Sequence, residues 1–437
     1  MRRRTLLSAA PLAAVSAAGL AACGGGSGSG GGSNDAPGEL TYWASNQGTS
    51  LENDKEVLTP VLERFTEESG ITVNLEVIGW ADLQTRIQTA ITSGQGPDVL
   101  NIGNTWGVSL QATGGLLELG DEEFEALGGR DRYVEAALAT GGAEGTDPTS
   151  IPLYGLAYGM YYNVKMFEDA GIEPPTTWEE MVEAAKALTD PEGDVYGMSL
   201  AAGSYTENNH FAFINAIQNG AALNNAEGEP TFTEDGVVDG ILRYLDLMQE
   251  HKVVNPSNAQ FDNGTKSVTA FANKQAAMII NQNNANATIE SQGMKPEEFK
   301  AVPFPAPADA VEDTASHLAG INLAAMADTD NRDGALAFMK FMTSPESQAE
   351  LGKPFASLPV LVDGEPTFTE DTEQAEMFME VYSERSAPLP LVPWEDQFET
   401  TVGQAMNSMF ATIATGGTVT REDVLTAMQT AQDSIRA

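Results

Sequence analysis

Residues 151–189 read IPLYGLAYGMYYNVKMFEDAGIEPPTTWEEMVEAAKALT, and the two halves of this stretch ask for different structures. The first half crowds Tyr154, Tyr158, Tyr161 and Tyr162 around Gly155 and Gly159, a composition suited to strands that approach other backbone closely. The second half is a helix with a marked start. Thr177 is placed to cap it, Glu180 can reach back to complete a capping box, and Pro174 and Pro175 bar an earlier start. Trp178, Met181, Val182, Ala185 and Leu188 then fall on one apolar stripe.

Working outward, residues 39–43 predict a first strand that runs into the polar turn 44–48, the kind of place at which open α/β sheets present ligands. Thr59 and Pro60 predict a helix start and Gly70 its end. Ile71, Val73, Leu75 and Val77 alternate as a strand, and Leu83, Ile87, Ala90 and Ile91 mark a helix that Gly94 stops. A turn and strand at 96–100 and a turn at 115–119 continue the pattern. Strands alternating with helices predict an α/β fold on a mostly parallel sheet. Downstream, Asn208, Asn209 and His210 precede a predicted helix bearing Phe211, Ile214 and Ile217. Leu336, Phe338, Met339 and Phe341 mark a further helix, and Ser344-Pro345 opens the next. The octet GEPTFTED occurs at 228–235 and again at 364–371 with unmatched flanks, which reads as a reused turn and helix cap rather than a domain repeat.

A chain of 437 residues exceeds the size at which one core keeps growing, so two domains are expected. Its formal net charge is −41, and loss of Arg2, Arg3 and Arg4 with an N-terminal tag takes it to −44. Such a surface repels nucleic acid and anionic lipid. The N-terminus reads as an export tag: three arginines, an apolar run over 6–22, and Leu20-Ala21-Ala22 before Cys23. The last four residues are similar to a lipobox, while residues 3–7 also resemble a twin-arginine motif, so either export route fits. Cys23 is the only cysteine, so it makes no internal disulfide, and its position suits lipidation of a new N-terminus. Residues 24–33 are all Gly or Ser, a flexible tether.

Taken together, Pro152, Tyr162-Asn163, Phe167, Ala170-Gly171-Ile172, Pro174-Pro175 and Thr177-Trp178-Glu179-Glu180 resemble the entry to the second lobe in family 1 extracellular solute-binding proteins of ABC importers, the maltose-binding protein group. The 96–100 and 115–119 turns, residues 271–281, residues 319–325 and the last fifth of the chain resemble the same family. The resemblance implies a two-lobed periplasmic-binding-protein fold of type II, each lobe a mixed, mostly parallel sheet flanked by helices, with the ligand cleft between lobes. On that pattern residues 1–22 are a signal peptide, 23–33 the lipidated cysteine and tether, 34–150 with 276–322 one lobe, and 151–275 with 323–437 the other. It further implies a monomer held to the membrane only by its lipid, with ABC permease subunits as partners and no cofactor.

Aromatic rings suit the apolar face of a pyranose, while amides and hydroxyls suit its OH groups. The expected ligand residues are Ser45, Asn46 and Gln47 from the first loop, Asn104, Thr105 and Trp106 from the second, Tyr154 and Tyr158 from the crossing, then His210, Asn284 and Trp394, the last in the position of a sugar-stacking tryptophan of the maltose-binding branch. For Trp43 and Trp80, a core placement fits at least as well as a cleft placement. Asn and Gln at 282–286, where that branch carries tryptophans, argue against a maltose-like oligosaccharide. Two alternatives stay open: a polar or cationic solute on the same fold, and a surface lectin-like or hydrolytic protein. Catalysis is not expected. His210, His251 and His317 are scattered without an HExxH or nucleophile-elbow context, and of the acids only Glu395, beside Trp394, combines a cleft position with an apolar setting. Residues 328–334 imitate a calcium loop, but Arg332 occupies a ligand position, so a helix cap is the better reading.

Overall fold

The computed structural model describes residues 38–436, so the export tag, Cys23 and the Gly/Ser tether lie outside it. The strands in chain order are β1 (Glu39–Ser45), β2 (Thr72–Ile78), β3 (Val99–Gly103), β4 (Ser150–Leu156), β5 (Tyr158–Asn163), β6 (Tyr196–Ser199), β7 (Ala276–Gln282), β8 (Phe299–Pro303), β9 (Ser316–His317), β10 (Ala319–Ala325) and β11 (Ser386–Ala387). One sheet has the order β2-β1-β3-β10-β4, a second β6-β7-β5-β8, and β11 pairs with β9. In the first sheet β1 runs parallel to β2 and β3, whereas β10 runs antiparallel to β3 and β4. In the second, β6 and β7 are parallel, while β5 is antiparallel to both β7 and β8. Each sheet, with the helices around it, is the core of one lobe.

The alternation of side chains along the first sheet builds two apolar layers, because successive residues of a strand point to opposite faces. Leu40, Tyr42 and Ala44 of β1 pack with Phe65 and Phe338 on one face. Trp43 points the other way, with Leu100, Ile102, Leu83 and Ile87. The second lobe buries a larger cluster around Tyr158, Tyr161, Phe211, Tyr244 and Phe410.

The chain passes between lobes three times. Ala157 separates β4 from β5, Leu318 separates β9 from β10, and a third passage lies between Leu361, in the first lobe's core, and Phe368, in the second's. These positions revise the expected lobe boundaries. Residues 276–318 do not join the first lobe, because the apolar run of β7 is buried between β6 and β5. Nor does the second lobe resume at 323. β10 completes the first sheet, and the Arg332–Met342 helix packs Phe338 and Phe341 onto Phe65.

Local chemistry explains most helix ends. Thr177 caps the Trp178–Ala187 helix by accepting from the Glu180 N–H, but the Glu180 carboxylate reaches one residue further back than a capping box requires, to the N–H and hydroxyl of Thr176. Asn331 caps the Arg332–Met342 helix and Ser344 the Pro345–Gly352 helix. Two expected starts move. The first helix begins at Leu51, capped by Ser50, with Pro60 inside it. Ser204 starts the Tyr205–Gln218 helix, which therefore contains Asn208, Asn209 and His210 rather than following them.

Candidate ligand-binding cleft

Two corners of the first lobe line its border with the second. The turn after β1 is held by buried Asp54, which accepts the N–H groups of Gln47 (3.0 Å) and Gly48 (2.8 Å) and the Asn46 side-chain amide. Burial pushes the Asp54 carboxyl above its ordinary range, and these donors pull it back. The Asn46 carbonyl in turn accepts Trp80 Nε1 at 2.7 Å. At the second corner β3 ends in a single 3₁₀ turn, Asn104–Trp106. Asn104 Nδ2 donates to the Leu318 carbonyl at the second passage (2.7 Å). Trp106 stands edge-on to Trp80, centroids 5.5 Å apart, and donates Nε1 to Glu399 Oε2 at 3.1 Å. Thr105 also hydrogen-bonds Glu399. Glu399 belongs to the Glu395–Ala414 helix of the second lobe, so Thr105 and Trp106 bridge the seam between lobes. A surface cavity of about 470 Å³ lined by Val108, Gln111, Leu116 and, from the opposite lobe, Pro393 opens beside this seam.

Across the seam, Tyr158 shares a 3.0 Å hydrogen bond with His210 Nδ1, and the His210 ring stacks on His317 at 3.9 Å. Burial pulls His210 down to about 3, and burial together with His210 takes His317 well below the usual range. Both imidazoles are therefore neutral at physiological pH; His210 acts as a hydrogen-bonding group, while His317 Nδ1 is buried without a partner.

Asn46, Gln47, Asn104, Thr105 and Trp106 thus come together at the seam. Ser45 and Tyr154 turn into the first lobe instead: Ser45 Oγ accepts Asn101 Nδ2 at 3.0 Å, and Tyr154 lies against Phe355 with its hydroxyl unpartnered. Tyr158 is buried, bonded to His210. Asn284 precedes the Ala285–Ser291 helix without capping it through its side chain. Trp394 is half-buried at the start of the Glu395–Ala414 helix, where Nε1 donates to the Gly228 carbonyl at 2.9 Å and the ring meets Phe232 edge-on at 5.6 Å. Among the described residues no group of three or more His, Cys, Asp or Glu is placed to hold a metal ion, and no helix is long and apolar enough to cross a membrane.

Residues that pattern reading passed over are equally prominent. His317 joins His210. Asn283, one residue before the expected Asn284, ties the first passage to the turn at Ala356: its Oδ1 accepts the Ala157 N–H at 2.8 Å, its N–H donates to the Ala157 carbonyl at 3.0 Å, and its Nδ2 donates to the Ala356 carbonyl. Glu395 and Glu399 are 0% and 3% exposed. They are one helical turn apart on the stripe that carries Phe398, Val402 and Met406; Glu395 is the acid the sequence singles out, and a second carboxylate inside the same apolar stripe is the signal that would have found Glu399.

Two α/β lobes joined by three passages and meeting on a seam of amides, indoles and carboxyls define a two-lobed solute-binding protein. Comparison with known sequences agrees: the chain belongs to the bacterial extracellular solute-binding protein family, which it matches over residues 48–349. That family is one of binding proteins, not of enzymes. A binding protein of Brucella abortus (strain 2308) is 27% identical over 188 residues, which cover 42% of this chain and only 44% of that protein. The diacetylchitobiose binding protein DasA of Streptomyces coelicolor is 26% identical over 366 residues, 82% of each chain. Among solved structures, an ABC transporter solute binding protein from Thermotoga lettingae bound with alpha-D-tagatose superposes with a TM-score of 0.78 at 21% identity, covering 91% of this chain and 99% of that one.

Proposed function

We propose that the protein is an extracytoplasmic lipoprotein that captures a mono- or oligosaccharide between its lobes and presents it to the permease of an ABC importer. The observation that carries capture is the seam itself. Trp80 and Trp106 supply ring surface beside the amides of Asn46, Gln47 and Asn104, the combination of flat apolar and directional polar groups that a saccharide needs. A solute touching both walls binds the closed arrangement better than an open one, and that difference drives closure about the three passages. The saccharide class draws support from the diacetylchitobiose and tagatose named for the similar proteins. The anchor rests on residues 20–23 and the tether after them.

Thermal-shift screening against glucose, maltose, cellobiose, maltotriose and ribitol, followed by small-angle scattering with the best binder, tests capture. At least one compound should raise the melting temperature, and it should also reduce the radius of gyration. A flat response to every saccharide and polyol would remove the reading.

A further inference from the structure

The seam holds a charge problem that capture of a neutral sugar does not resolve. Glu395 and Glu399 approach each other within hydrogen-bonding contact, and both are shut away from solvent. Both oxygens of Glu395 and Oε1 of Glu399 have no hydrogen-bond partner; Glu399 is met by the Trp106 indole, at Oε2, and by Thr105, whereas among the described residues no donor reaches Glu395. No Lys or Arg lies within 4 Å of either carboxyl among the described residues. The other titratable groups that face the pair are Asp396 on the same helix, Tyr205 on the Tyr205–Gln218 helix packed against it, and Tyr158 of β5; none supplies positive charge. Leaving a buried carboxylate unpaired is costly, and proteins resolve such sites by pairing the charge or by binding a proton.

A second, independent observation points the same way. On the facing lobe, Gln47 is 8% exposed and its Oε1 also has no partner. It follows Asn46, whose carbonyl is fixed by Trp80, the ring that stands against Trp106. The first-lobe side of the seam therefore also carries an unpartnered acceptor, linked to Glu399 through Trp80 and Trp106. A hydroxyl brings one donor together with acceptors of its own, whereas an ammonium group brings donors only, together with the missing charge.

We propose that the Glu395–Glu399 pair is the subsite for a protonated nitrogen on the captured solute, so that the saccharide or polyol taken is an amino-substituted one. This rests on the capture reading above and narrows it. Without such a ligand, burial holds both carboxyls above their ordinary range, the neighbouring Glu399 raises Glu395 further, and one shared proton relieves the pair. An arriving ammonium substitutes for that proton, which leaves to solvent.

The test compares isosteric pairs by titration calorimetry at pH 7: glucose with glucosamine, cellobiose with the glucosamine disaccharide, sorbitol with glucamine. The amine of at least one pair should bind tenfold or more tightly than its hydroxyl partner. Repeating that titration in buffers of different ionisation enthalpy should show proton release for the amine and none for the neutral partner. E395Q and E399Q, checked for folding by their melting curves, should each shrink the preference, and because proton release is read on the unsubstituted protein the test survives a variant that does not fold. Equal affinity within every pair would overturn the amine subsite while leaving sugar capture standing. A preference that outlasts both substitutions would overturn the assignment to these two residues. Failure of every compound to bind would sink capture and subsite together.

Discussion

Replacing Asn283 by alanine is the sharpest probe of how the lobes are joined. The side chain is fully buried and ties the first passage to the turn at Ala356, accepting from the Ala157 N–H and donating to the Ala356 carbonyl. Both alanines are themselves buried, so truncation leaves one backbone donor and one backbone acceptor without partners and with no route to water. Each orphaned group costs about 1–3 kcal/mol, which sets the expected loss at about 2–6 kcal/mol. The neighbouring Asn284 is the control, because it is half-buried and makes no side-chain cap, so Asn284→Ala should stay within about 0.5 kcal/mol. Urea unfolding followed by tryptophan fluorescence reports on both lobes, since Trp43, Trp80 and Trp106 lie in the first and Trp178 and Trp394 in the second. The Asn283→Ala midpoint should fall clearly below that of Asn284→Ala. Equal midpoints for the two variants would refute the claim that Asn283 fastens the first passage.

Glu207 offers a pH test. Burial pushes its carboxyl from an ordinary 4.5 up to about 8, so the stability it contributes is complete below about 4.5 and is lost as pH rises through 8. Glu395 and Glu399 are raised too and act in the same direction, while His210 and His317 are lowered and lose stability only as pH falls below about 6.5. The ligand-free protein should therefore melt progressively lower between pH 6.5 and 8, and Glu207→Gln should flatten part of that slope; an unchanged slope in the variant counts against the assignment. Trp394→Phe keeps an aromatic ring but removes the N–H given to Gly228, and should cost about 1 kcal/mol in chemical unfolding. Unchanged stability combined with weaker sugar binding would instead assign the indole to the ligand. Cys23→Ala should release the protein from membranes with its melting temperature unaltered, and a variant still found in the membrane fraction would exclude lipidation as the anchor.

What could be read from the sequence divides along the range of the physics involved. Thr177, Asn331 and Ser344 announce helix starts because a cap is settled within three residues of itself, and the alternation at 71–77 announces a strand because one face of β2 is buried more than the other. Pro60 misled for a related reason: proline is favoured at a helix start, but here Ser50 caps the helix from Leu51 and the chain tolerates the one N–H that proline lacks. The lobe to which 276–282 belongs could not be read, because Ala276–Gln282 is apolar on both sides and carries no mark of which sheet it enters. Its partners β5 and β6 are set by pairing across more than a hundred and about eighty residues respectively. The seam shows the same division from the other side. Asn104, Thr105 and Trp106 were legible because a loop at the end of a strand is where side chains are free to serve a ligand. Glu395 stood out beside Trp394, but Glu399 lies further inside a helix whose stripe is otherwise apolar, where 63 acidic residues in the chain make any one of them easy to pass over. Two carboxyls in register with Phe398 and Val402 cannot be solvated by the helix's exposed face. The fold buries both and holds Glu399 against Trp106 of the opposite lobe, and it is that buried position, more than their charge, on which the proposed subsite rests.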